Sequence, residues 1–151
     1  MSTDRIRIRT WARWVGSFVG FPLAGVAARM VAGDIDTLGA ALTGGLVGGA
    51  VLGAVQAGIG GIHRDHWHRW IGATAVGFAA GLGAGAAAVG YHTDTASLVA
   101  MGAISGAFVG VAQAWSVPME MRDRIRWALA IPALWAGGWA TICPATWWKA
   151  L

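Results

Sequence analysis

The chain has 151 residues, of which 56% are apolar and only 12% are charged, and its formal net charge is +4. A soluble domain carries about twice that share of charged residues, so the composition excludes an ordinary soluble fold and indicates an integral membrane protein. Nucleic-acid binding is not expected either, because the basic residues lie in short segments between apolar runs, where they set membrane orientation. The single cysteine, Cys143, excludes an internal disulfide and a cysteine metal site.

Four uncharged segments are long enough to cross a bilayer, which takes about 20 residues, and a fifth, residues 14–28, is shorter but is extended by residues 10–12 and 30–32. The predicted spans cover residues 10–30, 37–62, 70–90, 95–117 and 127–147. We therefore predict an all-α integral membrane bundle of five transmembrane helices that forms a single domain over residues 1–151. The basic start and the first apolar segment also resemble a signal peptide. We expect this segment to be retained, because its opening motif recurs later in the chain.

That motif is an Arg-Trp pair at the start of the first, third and fifth spans: Arg13-Trp14, Arg69-Trp70 and Arg126-Trp127. A glycine follows each tryptophan by eleven residues, at Gly25, Gly81 and Gly138. The three spans are therefore predicted to be equivalent units. Tryptophan is enriched where a membrane meets water, and arginine can extend its charged end towards the headgroups, so we predict that the pairs are interfacial anchors.

The second span carries a glycine at every fourth position and then a Gln-Ala pair, and the fourth span repeats this stretch 57 residues later without a gap. The two rows are Gly45, Gly49 and Gly53 with Gln56, and Gly102, Gly106 and Gly110 with Gln113. The third span has a row of its own, Gly77, Gly81 and Gly85. Such rows weaken a helix in water, but in a bilayer they line one face and let another backbone approach closely. We predict that all three are glycine-zipper packing faces.

The offset of 57 residues predicts an internal repeat of two helices, in which the second and third spans correspond to the fourth and fifth. Both units run in the same direction, so they are parallel copies related by an axis along the membrane normal. The first span is then an unpaired half-unit. In this arrangement Gln56 and Gln113 lie at equal depth, where each amide either packs in a helix contact or lines a polar path.

The loop after the second span contains three histidines and an aspartate, namely His63, Asp65, His66 and His68. Their spacing fits no common zinc site, so we do not expect a metal there. The basic and aromatic residues around them favour contact with anionic lipid headgroups. Metal binding and a response to pH stay open as alternatives, since histidine titrates near pH 6.5.

The distribution of charge predicts the orientation in the membrane. Nine of the eleven Lys and Arg residues lie on one side, in the N-terminal arm and in the loops 63–69 and 119–126. The positive-inside rule then puts the N-terminus in the cytoplasm and the C-terminus outside. On the outer side, we expect Arg29 to pair with Asp34 or Asp36.

Catalytic chemistry is not expected, because no Asp or Glu lies inside a predicted span and Ser105 has no histidine at a similar depth. An enzyme and a bound cofactor are therefore not predicted. The three glycine rows offer more close-packing surface than one bundle needs, which favours a homo-oligomer or an accessory subunit of a membrane complex. The alternative is a passive channel for a small solute or ion, lined by Gln56 and Gln113. A pigment or lipid site near Trp135 and Trp139 is a third hypothesis.

A glycine-rich span that ends in Gln-Ala, followed by a basic loop and an Arg-Trp pair, resembles small multi-pass membrane proteins of bacteria without a characterised activity. The resemblance covers residues 10–140. It implies no activity and no catalytic residues. With this resemblance we expect a place in the bacterial cytoplasmic (inner) membrane. From the apolar spans and the glycine rows, the expected partners are the lipid bilayer and either further copies of the chain or other membrane subunits.

Overall fold

The computed structural model describes residues 3–142, which form helices, turns and short connections without a strand. The helices are α1 (Thr3–Gly16), α2 (Gly20–Ala32), α3 (Leu38–Gly60), α4 (Trp67–Ala88), α5 (Thr95–Ser116) and α6 (Met121–Ile142). Two 3-10 turns complete the path, Ser17–Val19 between α1 and α2 and Arg64–His66 before α4. The prediction of an all-helical fold is confirmed.

Four helical segments are long and apolar enough to cross a membrane, namely Ile8–Ala32, Leu38–Gly60, Arg64–Ala88 and Thr95–Ser116. The segment Ile8–Ala32 runs from α1 through the 3-10 turn into α2, and we call it the first span. Over its described residues, α6 does not reach the same combination of length and hydropathy. The predicted fifth span continues to residue 147, and its residues 143–147 lie outside the described part. Four candidate spans are thus supported, where we predicted five.

The helix ends differ from the predicted boundaries at both ends of the chain. From Thr3 onwards the N-terminal arm is helical, as part of α1. The last helix begins at Met121, so most of the predicted loop 119–126 belongs to α6. The predicted ion pair beyond the first span is confirmed, with Arg29 bound to Asp34.

Short polar side chains begin the two glycine-Gln helices. The Thr37 hydroxyl accepts a hydrogen bond from the backbone N–H of Ala40 at 3.2 Å, which caps α3. The Asp94 carboxylate caps α5, accepting the backbone N–H of Ser97 at 3.1 Å and its hydroxyl at 2.5 Å. These hydrogen bonds favour the ionised carboxylate, and they hold the pKa of Asp94 below its ordinary value of 3.8.

Consecutive helices pack side by side, so α2 lies on α3, α3 on α4, α4 on α5 and α5 on α6. Glycine makes these contacts, here called seams, unusually close. A Cβ atom added at Gly49 would lie 2.7 Å from the Cα of Ala75, and one at Gly106 would lie 2.7 Å from the Cα of Pro132. Such distances are far inside van der Waals contact, so both seams depend on the missing side chain.

All three predicted glycine rows are used inside the chain. Gly45, Gly49 and Gly53 face α4, Gly77, Gly81 and Gly85 face α5, and Gly102, Gly106 and Gly110 face α6. None of these glycines is left to pack against another copy of the chain. The surplus of packing surface that favoured a homo-oligomer is therefore absent from these rows.

The α3–α4 and α5–α6 seams share one register. Gly49 meets Ala75 and Gly106 meets Pro132, and each residue of the second pair follows its counterpart in the first by 57 positions. The next pair along each seam follows the same rule, with Gly53 on Ile71 and Gly110 on Ala128. Equivalent contacts therefore occur in both helix pairs at the offset seen in the sequence.

The first span departs from its expected alignment. Gly25 aligns with Gly81 in the sequence, but a Cβ at Gly25 would meet nothing within 4 Å. Instead, a Cβ at Gly48 would lie 3.3 Å from the carbonyl oxygen of Ala24, so Ala24 takes the place that Gly81 has on α4. The 3-10 turn Ser17–Val19 explains the shift. A 3-10 helix rises about 2.0 Å per residue, whereas an α-helix rises about 1.5 Å, so the three residues of the turn add about 1.5 Å, the rise of one α-helical residue. The first span therefore reaches the same level as α4 with one residue fewer.

The contacts of α4 show how the helices are arranged around a centre. Its α3-facing residues are Ile71, Ala75 and Ala79, and its α5-facing residues are Gly77, Gly81 and Gly85. At 100° per residue these two faces lie about 120° apart around the helix. Helices that meet two neighbours at this angle form a ring. The first span, α3, α4, α5 and α6 follow one another around it.

Candidate functional site: a buried amide and tryptophan cluster

The two glutamines singled out in the sequence meet at the centre of the ring. Gln113 Nε2 donates a hydrogen bond to Gln56 Oε1 at 2.8 Å, although 57 residues separate them in the chain. The glycine rows bring them together, because each row presses its helix closely against the next one. Gln113 is fully buried and Gln56 is 8% exposed, so neither amide lies on the outer surface.

A threonine from α4 completes the polar contact. Gln113 Nε2 also donates to Thr74 Oγ1 at 2.9 Å, and the Thr74 hydroxyl donates to the backbone oxygen of Trp70 at 2.8 Å. Both amide hydrogens of Gln113 are therefore used. Thr74 is fully buried, and its hydroxyl acts as both acceptor and donor, which leaves it satisfied.

Two indole groups donate to the amide oxygens. Trp70 Nε1 donates to Gln56 Oε1 at 3.3 Å, and Trp127 Nε1 donates to Gln113 Oε1 at 3.2 Å. Each tryptophan follows its glutamine by 14 residues. The second bond fixes the orientation of the Gln113 amide, because turning it around would set its NH₂ group against the indole N–H.

The three tryptophans of the Arg-Trp pairs form a triangle next to these amides. Ring centroids are 6.0 Å apart for Trp14 and Trp70, 5.1 Å for Trp14 and Trp127, and 5.9 Å for Trp70 and Trp127. The interplanar angles are 62°, 59° and 62°, which is close to three-fold symmetry. Trp70 is fully buried. The first span, α4 and α6 therefore meet through their indole rings, here called the tryptophan triangle.

Two turns further along, a second aromatic layer joins the same three helices. Trp135 of α6 packs edge-on against Phe21 of the first span at 5.3 Å and against Phe78 of α4 at 5.1 Å. Trp139 lies on α5, since a Cβ at Gly102 would be 2.5 Å from its Cδ1. Both tryptophans named for a pigment or lipid site thus contact protein side chains, and that hypothesis stays a prediction.

Arginines close the same end of the bundle. Arg13 Nε donates to the carbonyl oxygen of Ile59 at 2.9 Å, near the end of α3. Arg124 Nη1 donates to the carbonyl oxygen of Ala114 at 2.6 Å, near the end of α5, and its guanidinium lies 4.6 Å from the Trp115 ring. Basic groups at helix C-termini satisfy carbonyls that have no partner within the helix.

These positions bear on the predicted interfacial anchors. Arg13, Arg69 and Arg126 all lie at the end of the bundle that holds the tryptophan triangle. Trp14, Trp70 and Trp127 contact one another inside the bundle, a use that the sequence reasoning did not foresee. Whether this level of the bundle coincides with a membrane interface stays a prediction.

The histidine loop lies outside the cluster. His63 Nδ1 is 3.3 Å from Asp65 Oδ2, and both side chains are largely exposed. The rings of His63 and His66 are 6.3 Å apart. Among the described residues, no group of three or more His, Cys, Asp or Glu side chains is arranged to hold a metal ion. Lipid contact and a pH response at this loop stay predictions.

The chemistry of the cluster follows from its groups. Amide, hydroxyl and indole groups stay neutral at ordinary pH, and here they are engaged with one another. They provide hydrogen bonding and packing rather than acid–base catalysis. Ser105, which lacks a histidine at a similar depth in the sequence, lies on Gly81 in the α4–α5 seam. Its hydroxyl is buried without a hydrogen-bond partner among the described residues.

Comparison of this chain with protein-family models, with curated protein sequences and with solved structures finds no match.

Proposed function

We propose that this protein is a non-enzymatic multi-pass membrane protein that acts through close, glycine-mediated helix packing as an accessory subunit of a larger membrane complex. One observation carries the proposal: the interior is occupied by its own contacts. The three glycine rows pack within the chain, and the amides of Gln56 and Gln113 bind each other. Interaction with other molecules then falls to the outer surface.

The proposal includes a place in the bacterial cytoplasmic membrane with five spans, α6 being the fifth. Its N-terminus lies in the cytoplasm, because nine of the eleven Lys and Arg residues would be on that side. The apolar part of α6 begins at Trp127, and the charged residues Arg122, Asp123, Arg124 and Arg126 precede it. The equal register of the α3–α4 and α5–α6 seams supports a parallel two-helix repeat as the origin of this arrangement.

An accessory subunit fits these contacts better than a homo-oligomer built on the glycine rows. A substitution such as Gly49→Leu would not test self-association, because its Cβ would already collide with the α4 backbone of the same chain. Any loss of an oligomer would then reflect a damaged fold. The test has to leave the seams intact.

Native mass spectrometry of the protein, extracted from its own membrane into mild detergent, supplies that test. We expect the chain together with a different membrane protein at a fixed ratio. The matched control is Gly58→Ala, which leaves the seams intact because a Cβ at Gly58 would meet nothing within 4 Å, and it should keep the same partner at the same ratio. A monomer without a protein partner would contradict the proposal. A homo-oligomer would mean that the protein acts through helix packing but assembles with further copies of itself rather than with a different subunit.

The passive channel is the second candidate, because polar side chains meet at the centre of the ring. In the structure the contact between Gln113 Nε2 and Gln56 Oε1 crosses that centre at 2.8 Å. A path for solute along these amides therefore requires the contact to open. Flux through liposomes distinguishes the two functions, as described in the Discussion.

A further inference from the structure

One position in the ring of helices is empty among the described residues. α3 packs on both the first span and α4, and α5 packs on both α4 and α6. Among the described residues, no helix lies in the corresponding position between α6 and the first span. These two helices meet through rings instead, Trp14 on Trp127 at 5.1 Å and Phe21 on Trp135 at 5.3 Å. An aromatic floor therefore lies open along this side, and we call it the open groove.

Equivalent residues of the two helix pairs are 57 positions apart, and this offset identifies the residues of α6 that line the open groove. On α4, Gly77 and Gly81 face α5. The residues 57 positions later on α6 are Leu134 and Gly138. Leu134 is 59% exposed, and a Cβ at Gly138 would meet nothing within 4 Å. This face of α6 thus lacks the neighbour that its counterpart on α4 has.

The same comparison identifies the wall formed by the first span. Ala75 and Ala79 are the α4 residues that face α3. The residues 57 positions earlier are Phe18 and Pro22, and both are exposed, with Phe18 at 56%. Val15 is 46% exposed as well. The open groove is therefore walled by apolar residues on both sides.

The two resident helices show what kind of helix fits such a groove. Each brings glycines at four-residue spacing and then a glutamine that accepts an indole N–H, Gln56 from Trp70 and Gln113 from Trp127. Trp14 is the third member of the triangle and lines the floor of the open groove. Its indole N–H has no hydrogen-bond acceptor within the described residues. An occupant with an amide oxygen at this level would supply one.

We propose that the open groove binds one transmembrane helix of a partner subunit, with small residues at every fourth position and a Gln or Asn side chain facing Trp14. This inference rests on the proposed function, and it names the surface and the partner chemistry. The groove is continuous with the interfaces already formed by α3 and α5, since all three share the aromatic centre. By the same comparison, the partner helix runs antiparallel to α6.

The probe for a first test is the chain's own α3 sequence, because α3 fills an equivalent groove. A synthetic peptide of residues 37–62 contains no tryptophan and can carry a dansyl group at its N-terminus. Energy transfer from the tryptophans of the full chain to dansyl, measured in bicelles, reports binding. We expect saturation at one peptide per chain. Replacing Gln56 by Leu in the peptide should weaken binding about threefold, because such hydrogen bonds contribute modestly in membranes.

Two variants of the full chain locate the binding site. Gly138→Leu fills the open groove from the α6 wall and should lower peptide affinity at least tenfold. Gly72→Leu is the matched control, since a Cβ at Gly72 also meets nothing within 4 Å, and it should bind as the wild type does. Thermal unfolding confirms that both variants fold. Leu134→Trp blocks the same wall if Gly138→Leu does not fold.

Each outcome decides the inference. Absence of saturable transfer overturns it, as does equal binding to Gly138→Leu, which would mean that the peptide replaces a resident helix or associates through lipid. Native mass spectrometry without peptide adds a further outcome. If the wild type is a dimer and Gly138→Leu is a monomer, the open groove binds a second copy of the chain. That result would overturn the inference that a different subunit supplies the helix, but it would leave the role in helix packing unchanged. A partner-free monomer that passes solute would refute the proposed function itself, whatever the peptide does.

Discussion

Replacing Gln113 by methionine tests the central contact of the bundle. Methionine keeps the length and approximate volume of the side chain and removes its hydrogen bonds. Three bonds are lost, to Gln56 Oε1, to Thr74 Oγ1 and from Trp127 Nε1. Side-chain hydrogen bonds inside membrane proteins contribute about 0.6 kcal/mol on average, so we expect a loss of about 2 kcal/mol in the free energy of unfolding.

Gln56→Met is the matched variant, because Gln56 takes part in two hydrogen bonds among the described residues: the one shared with Gln113 Nε2 and one from Trp70 Nε1. It should cost about 1 kcal/mol, and the two effects should not add. The double variant should recover about 0.6 kcal/mol of coupling, since the shared bond is lost once. Unfolding by SDS in mixed micelles, followed by far-UV circular dichroism, measures all four proteins under the same conditions.

Strict additivity would refute this reasoning. It would mean that the two amides do not bind each other in the folded protein, although each could still bind a tryptophan. A smaller effect for Gln113→Met than for Gln56→Met would contradict the count of bonds. Trp127 fluorescence cannot replace the measurement, because the chain contains ten tryptophans.

Three further predictions follow from the seams, the cap and the closed centre. A Cβ at Gly49 would lie 2.7 Å from two backbone atoms of α4, so Gly49→Ala should lower the free energy of unfolding by about 1–3 kcal/mol. Gly58→Ala is the control and should leave it unchanged, because a Cβ there would meet nothing within 4 Å. Equal melting temperatures for the two variants would contradict the close α3–α4 contact. Hydrogen bonds from the first turn of α5 lower the pKa of Asp94 in the folded state, so its contribution to stability is full above 3.8 and is lost as pH falls through the lower folded value. The melting temperature of D94N should therefore fall less than that of the wild type when pH is lowered below 3.8, and parallel curves would contradict this role. Proteoliposomes of the wild type should not pass small solutes; flux that disappears in Gln56→Met/Gln113→Met would favour the channel.

The positions of the helices were predictable because the chain separates charged from apolar residues sharply. The second and fourth spans match α3 and α5 within two residues, since Thr37 and Asp94 cap them at polar positions. The predicted fifth span is not among the four candidate spans of the described residues, for a physical reason. α6 combines several charged residues with Pro132 and tryptophans, so the described helix is less apolar than the other spans.

The partners of the glycine rows could not be predicted in the same way. A row at four-residue spacing shows that a backbone comes close, but not whether that backbone belongs to the same chain. The structure assigns Gly81 to Ser105 and Gly106 to Pro132, both within the chain. The meeting of Gln56 on α3 with Gln113 on α5 depends on such assignments, because it requires the α3–α4 and α4–α5 seams to be in register.

The tryptophan triangle was missed because its members have two favourable places in a membrane protein. An Arg-Trp pair at the start of a span fits an anchor at the interface. It also fits an indole that faces inward to bind an amide, as Trp70 and Trp127 do. One sequence signal distinguishes the two uses: Gln precedes Trp by 14 residues in both pairs, and those residues carry the chain from one helix to the next.

The place of α4 between two seams limits how this fold can change in evolution. A deletion inside α4 would turn the remainder of the helix by about 100°, and both its α3 face and its α5 face would lose their glycine contacts at once. Among the described helices, the first span shares a close seam only with α3 and meets α4 and α6 through aromatic rings, so its 3-10 turn Ser17–Val19 can absorb a length difference of one residue. Homologous chains should therefore vary in length within the first span and the loops, while insertions and deletions in α4 should be eliminated by selection.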